Sequence, residues 1–181
     1  MRQREKVIPR ARGRVLELGV GSGLNLPYYD PDRVQRVFAL DPSTELWSLA
    51  QTRVAASPLE LEFLEAGAEA VPLDDNSVDT VVATYTLCTL PDVAMALAEV
   101  RRVLRPRGEL VFCEHGVAPD RGVRRWQNRL NPAWRRLAGG CHLNRDIPLL
   151  LAEAGFRIGD LETMYLPGWR PATFNYWGVA T

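Results

Sequence analysis

The chain has no apolar run approaching the ~20 residues that a bilayer crossing needs, so no transmembrane helix is expected. Its opening stretch, MRQREKVIPRARGR, lacks the apolar centre of a secretory signal, and a cytoplasmic location is the expectation. Cysteine is scarce. Cys88, Cys113 and Cys141 are odd in number, far apart and without a CxxC pair. That argues against a disulfide framework and against a structural zinc site, so no metal is expected. Histidine is scarcer, with only His115 and His142. Lysine is nearly absent, Lys6 being the single one, yet 22 basic residues balance 22 acidic ones. A net charge of zero gives no reason to expect a nucleic-acid partner. The one basic concentration, Arg121 to Arg136, is interleaved with apolar residues and Trp, as in an amphipathic helix. Its plain reading is a solvated face; contact with an acidic ligand or peripheral contact with a membrane surface is the alternative. Oligomeric state is not set by any of these features.

What remains is an ordinary globular composition in 181 residues, enough for one domain with a sizeable core. Short apolar strands are expected at Val15–Leu18, Val37–Leu40, Leu61–Ala66, Val78–Thr84 and Leu110–Cys113. Helical spacing lies between them, over Thr44–Ala56 and Val93–Leu104. The last third reads as a helix over Arg121–Leu137 interrupted at Pro132, a second helix over Arg145–Ala154, and two longer strands, Phe156–Leu166 and Phe174–Ala180, joined by PGWRP. Alternation of strands and helices predicts an α/β fold, a mostly parallel sheet with helices on both faces. Two consecutive strands joined so closely predict an antiparallel final pair. No repeat or linker divides the chain, so a single domain over 1–181 is expected.

The stretch RVLELGVGSGLNLPYY carries the chemistry. Gly19, Gly21 and Gly23 follow a strand and precede a short helical segment, where glycine permits a sharp turn and close approach of a ligand to the main chain. The spacing is G-x-G-x-G. A dinucleotide fingerprint places the third glycine one residue later, where this chain has Leu24. Glu17, just before the turn, would repel a pyrophosphate but suits a cationic end such as an amino group or a sulfonium. Asp41 closes the second strand, where an acidic side chain can accept from both hydroxyls of a ribose. As a plain feature, Asp41 would start the DPST turn and cap the next helix. Together the two features predict a nucleoside-bearing ligand that is not a nicotinamide dinucleotide.

VLELGVGSG, ALDPS, AEAVPLDDNSVDTVVATYTLCTLPD and ALAEVRRVLRPRGELVF resemble, in order and spacing, the class I S-adenosylmethionine-dependent methyltransferases of the ubiquinone-biosynthesis-like branch. LCTLPD, FCEHG, NPAWRRLAGGCHLNRD and RPATFNYWGVA are similar to the membrane-attached alkyl-thiol methyltransferases of that superfamily, whose apolar N-terminal anchor is not expected here from the opening stretch. The resemblance implies a Rossmann-like, seven-stranded sheet with the last strand antiparallel. It implies a cofactor-binding core over 14–114 and substrate-side helices and final strands over 115–181. S-Adenosylmethionine would be the cofactor and S-adenosylhomocysteine the product. Glu17, Gly19, Gly21, Gly23 and Asn25 would hold the methionine end, Asp41 the ribose, Pro42, Ala68 and Glu69 the adenine. Thr84, Tyr85 and Leu87 would stand where methyl donor and acceptor meet. Many relatives carry an aspartate at the position of Gly67 that accepts from the adenine amino group; here that contact must come from elsewhere or be missing.

The expected activity is methylation of a small molecule, with a thiol or sulfide as the acceptor of choice. A thiol with pKa near ~8.5 needs little help to form the nucleophilic thiolate. A phenol, amine or carbon acid would want a placed base. His115, after the fifth strand, and His142, in GGCHLNRD, are the candidate bases or substrate contacts, each with a plain alternative as a loop residue. Cys88 reads as a small pocket-wall or core residue and Cys113 as core. Trp126, Trp134, Trp169 and Tyr165 either line an apolar pocket or pack the late helix onto the sheet. Two other functions stay open at this level: methylation of oxygen, nitrogen or carbon in a quinone-like, aromatic or lipid acceptor, and cofactor binding without turnover.

Overall fold

In the computed structural model, which describes residues 2–181, seven strands form one sheet in the order β3-β2-β1-β4-β5-β7-β6. They are β1 (Gly13–Leu18), β2 (Val34–Leu40), β3 (Glu60–Leu64), β4 (Val78–Thr84), β5 (Leu104–His115), β6 (Ile158–Tyr165) and β7 (Phe174–Ala180). The first five run parallel, and β7 lies antiparallel between β5 and β6. The central strands are apolar at successive positions because both faces are covered. Leu16, Phe38, Val81 and Phe112 belong to one core layer. Their neighbours Val15, Val37, Val82 and Val111 belong to the other.

The helices are α1 (Arg2–Val7), α2 (Thr44–Ser48), α3 (Gln51–Ala56), α4 (Val93–Val103), α5 (Arg121–Leu137) and α6 (Ile147–Glu153). The first core layer takes in Leu97 and Val100 of α4 and Leu151 of α6. The second takes in Val7 of α1, with Val54 of α3 packed at its margin. Chain order reverses between β1 and β4, so the carboxyl ends of these strands flank a crevice of the kind in which such sheets bind ligands.

Four local expectations need correction. The helical pattern over Thr44–Ala56 is divided into α2 and α3 at Leu49–Ala50, with Ser43 capping α2 through its hydroxyl on the Leu46 N–H at 3.2 Å. No α-helix follows the glycine turn; Pro27 lies in a 3₁₀ turn, Leu26–Tyr28, instead. α5 runs through Pro132 without a break. α6 starts at Ile147 rather than Arg145, because Asp146 caps it by accepting from the Leu149 N–H at 3.2 Å and Pro148 occupies its first turn.

Candidate active site

The carboxyl ends of β1, β2, β3 and β4 open onto a cavity of about 720 Å³. β1 ends in the glycine turn, where Gly19, Gly21 and Gly23 all have positive φ, at 65°, 51° and 73°. The reasons differ. A Cβ on Gly19 would stand 2.7 Å from the Thr86 hydroxyl oxygen, so β1 and the segment after β4 can approach only with glycine there. A Cβ on Gly21 would meet no atom within 4 Å; Gly21 lines the cavity and leaves it open. Asp41, at the end of β2, is buried and also lines the cavity. Its Oδ2 accepts from the Gly21 N–H at 2.8 Å and its Oδ1 from the Ser43 N–H at 2.9 Å. One carboxylate therefore sets the glycine turn and the start of α2 while presenting a charge to the cavity. An open glycine cradle beside a buried, anchored carboxylate fits a nucleoside with a ribose diol.

Pro42, Ala68, Glu69 and Tyr85 line the cavity as well. A Cβ on Gly67 would lie 3.0 Å from Glu69 Oε2, so the Glu69 carboxylate stands in the space that a longer side chain at position 67 would need.

The other expected residues lie behind the wall. Glu17 is buried, with Oε1 accepting from Asn25 Nδ2 at 2.9 Å and Oε2 from the Tyr29 hydroxyl at 2.7 Å. Asn25 also donates to Thr84 Oγ1 at 2.9 Å, which ties β1, the glycine turn and β4 into one polar knot. Gly23 packs beneath this turn against Leu26 and Ala50, and Leu87 is buried in the core. Arg4 of α1 reaches the same region, 5.2 Å from the Tyr85 ring centroid. Burial pushes the Glu17 carboxyl up to about 7.

Sequence reasoning missed the device that shapes the loop after β4. Glu114, fully buried near the end of β5, accepts from three successive backbone N–H groups: Thr86 at 2.9 Å, Leu87 at 3.0 Å and Cys88 at 3.1 Å. Arg145 takes the carbonyls of the same loop, donating to Leu87 O and, at 2.6 Å, to Leu90 O. Tyr85 sits at φ 56°, a left-handed conformation unusual for a bulky side chain, and this clamp holds the backbone just beyond it. Thr86, Thr89 and Leu90 of this loop consequently join the cavity wall, which Gly140 completes from the loop after α5.

Burial pushes Glu114, like Glu17, up to about 7. A carboxyl with a raised folded-state pKa binds its proton more tightly folded than unfolded. The stability it contributes is fully present below the unfolded value and is lost as pH rises through the folded one. Glu99 runs the other way, held low by hydrogen bonds from Arg102, and its contribution falls away only on acidification. The melting temperature is therefore expected to fall between about pH 5 and about pH 8. Glu17→Gln, whose amide can still accept from Asn25 and donate to Tyr29, is expected to flatten that slope. Melts at constant ionic strength check both; a midpoint that is level or rises over this interval contradicts the assignment.

The structure places neither histidine in the cavity lining. His115 is buried at the end of β5, and His142 is half-buried, its backbone N–H donating to Cys88 O at 2.8 Å. Burial and the nearby Arg145 lower the His142 pKa. His115 is gathered instead with two cysteines that the sequence sets far apart. Its Nδ1 is 3.7 Å from Cys141 Sγ, which is 3.8 Å from Cys88 Sγ. Cys113 is core, as expected. Of the late aromatics, Trp126 and Trp169 are exposed, and Trp134 packs against Trp169 with centroids 6.1 Å apart rather than lining the cavity. No helix among the described residues is long and apolar enough to cross a membrane.

A family model described as a methyltransferase domain matches residues 16–112. The chain is 34% identical over 183 residues to human thiol S-methyltransferase TMT1B, covering 97% of this chain and 74% of that protein. It is 35% identical over 167 residues to the rat TMT1B, covering 90% of this chain and 65% of the rat protein, so it spans slightly less than two thirds of that relative. The crystal structure of YcgJ from Bacillus subtilis superposes with a TM-score of 0.71 at 17% identity, covering 98% of this chain and 93% of that one; this likeness is one of fold.

Proposed function

We propose that this chain, which belongs to the methyltransferase-domain family of S-adenosylmethionine-dependent enzymes, transfers a methyl group to the sulfur of a small thiol. The observation that carries the acceptor assignment is identity above 30% with thiol S-methyltransferases across nine-tenths or more of the chain. The cavity is consistent with it. Neither histidine lines it, and its lining offers no buried base beyond Asp41, which the turn already occupies. A thiol is the common acceptor least dependent on such a base.

S-Adenosylmethionine, when bound, supplies a methyl group already activated on a sulfonium. The protein's part is alignment, which in well-oriented systems supplies on the order of 7–11 kcal/mol. Asp41 accepts from the ribose hydroxyls, and the turn at Gly19 and Gly21 admits the ligand to the main chain. Glu17, Asn25 and Thr84 act from behind the wall by fixing that turn. Tyr85 and Thr86, held by the loop clamp, face the end where the acceptor enters.

Glu69 takes the place of the aspartate that many relatives carry at position 67 and accepts from the adenine amino group. Glu69→Ala is expected to weaken S-adenosylmethionine binding by about 1 kcal/mol, the scale of one net hydrogen bond at a half-exposed site. Calorimetry checks this, and an unchanged Kd removes Glu69 from the adenine contact.

The test of function is S-adenosylhomocysteine formation with a panel of an alkyl thiol, hydrogen sulfide, a phenol, a quinol and an amine. Turnover with the thiols is the expected result. Turnover with another acceptor alone would overturn the thiol assignment and leave the family membership standing.

A further inference from the structure

Three chemically soft side chains meet beside the cofactor cavity, brought from the loop after β4, the end of β5 and the loop between α5 and α6. The donor atoms of Cys88, His115 and Cys141 all lie within 4.8 Å of one another. Two thiolates on one tetrahedral zinc, each at about 2.3 Å, stand about 3.8 Å apart, and a sulfur and an imidazole nitrogen about 3.6 Å apart. Here the sulfurs are 3.8 Å apart, and Cys141 Sγ is 3.7 Å from His115 Nδ1.

The surroundings support a built site. Cys88 and His115 are buried, and Cys141 is half-buried. The ligand-bearing backbone is fixed by groups one shell out. Glu114 holds the Cys88 N–H, and the His142 N–H binds Cys88 O, fastening the two cysteine loops to each other. The site also borders the cavity. Thr86 and Thr89, on either side of Cys88, and Gly140, beside Cys141, all line it.

We propose that Cys88, His115 and Cys141 form a zinc(II) site whose fourth coordination position receives the sulfur of the methyl acceptor. Three protein ligands with one position left open is the pattern of a catalytic rather than a structural zinc, and two thiolates with one imidazole suit that ion. The second half of the proposal rests on the thiol reading above. The acceptor thiol gives its proton to solvent on coordination and is held as a thiolate. The sulfonium carbon–sulfur bond then breaks as the methyl–sulfur bond forms, leaving a thioether and S-adenosylhomocysteine.

The test uses the full chain, purified under reducing conditions and stripped with a chelator. Zinc binding is followed by competition with a chromophoric chelator, and cobalt(II) is added separately as a spectroscopic probe. The expected result is one zinc per chain, with cobalt showing thiolate charge-transfer bands and the d–d intensity of a tetrahedral site. Cys141→Ser, Cys88→Ser and His115→Ala are each expected to weaken zinc binding by about 100-fold or more, since changes one shell further out already cost 10–100-fold. Calorimetry with S-adenosylhomocysteine reports whether each variant is folded. Should the buried Cys88→Ser fail to fold, the half-buried Cys141→Ser decides.

Addition of an alkyl thiol is expected to shift the cobalt charge-transfer bands. Absence of metal uptake, uptake indifferent to the substitutions, or a Cys88–Cys141 disulfide in place of uptake would overturn the site. Metal uptake with a spectrum unmoved by thiols would overturn acceptor coordination. Metal uptake with turnover only on a phenol or amine would overturn the thiol reading while the zinc site stands.

Discussion

Glu114→Ala is expected to lower folding stability by about 2–5 kcal/mol, because it orphans the buried N–H groups of Thr86, Leu87 and Cys88 at once. Each unsatisfied group costs about 1–3 kcal/mol, and relief from burying a carboxylate offsets part of the sum. Urea unfolding at pH 7 measures it. The effect should extend to the cofactor, since the same loop carries Tyr85 and Thr86 into the cavity wall. Glu114→Gln separates the two consequences. It keeps one acceptor oxygen but turns an amide N–H toward a backbone N–H, so it should fold better than the alanine variant and still bind the cofactor less tightly than the parent. A change in stability below about 1 kcal/mol for Glu114→Ala would mean that water replaces the carboxylate and that the loop is held mainly by Arg145.

The contrast between this clamp and the glycine turn explains what the sequence makes visible. Gly19, Gly21 and Asp41 act through positions adjacent in the chain or at successive strand ends. The residue types there are dictated by backbone geometry and charge, and the pattern can be read directly. The mostly parallel sheet and the antiparallel ending follow in the same way from apolar runs and a short connection. Glu114 carries no such signal. Its partners lie 26 to 28 residues upstream, and FCEHG by itself reads as a strand end.

Glu17 was legible as a charge at the right place, but its hydrogen bonds to Asn25 and Tyr29 depend on the 3₁₀ turn that Pro27 introduces where a helix was expected. The Cys88, His115 and Cys141 group is invisible for a related reason. Spacing rules for metal sites describe ligands that share a local turn, whereas these are separated by 26 and 53 residues and meet only when two loops fold against the end of β5.

Asp41→Ala should have the largest effect on cofactor binding of any single change at the cavity. Two losses combine. The ribose hydroxyls lose a charged acceptor, worth about 1.5–3 kcal/mol, or roughly 10–150-fold in Kd. The Gly21 and Ser43 N–H groups also lose the oxygens that set the turn and the start of α2, at 2.8 Å and 2.9 Å. Asp41→Asn distinguishes the contributions. Its amide oxygen can serve one of the two N–H groups, so the turn is partly retained while the charge is gone. An asparagine variant nearly as weak as the alanine variant would assign the loss to the ribose contact. One close to the parent would assign it to the shape of the turn. Calorimetric titration with S-adenosylhomocysteine reads both without requiring an acceptor, so the result does not depend on which nucleophile the enzyme methylates. An alanine variant with parental affinity would remove Asp41 from the ribose and leave it only its two backbone contacts.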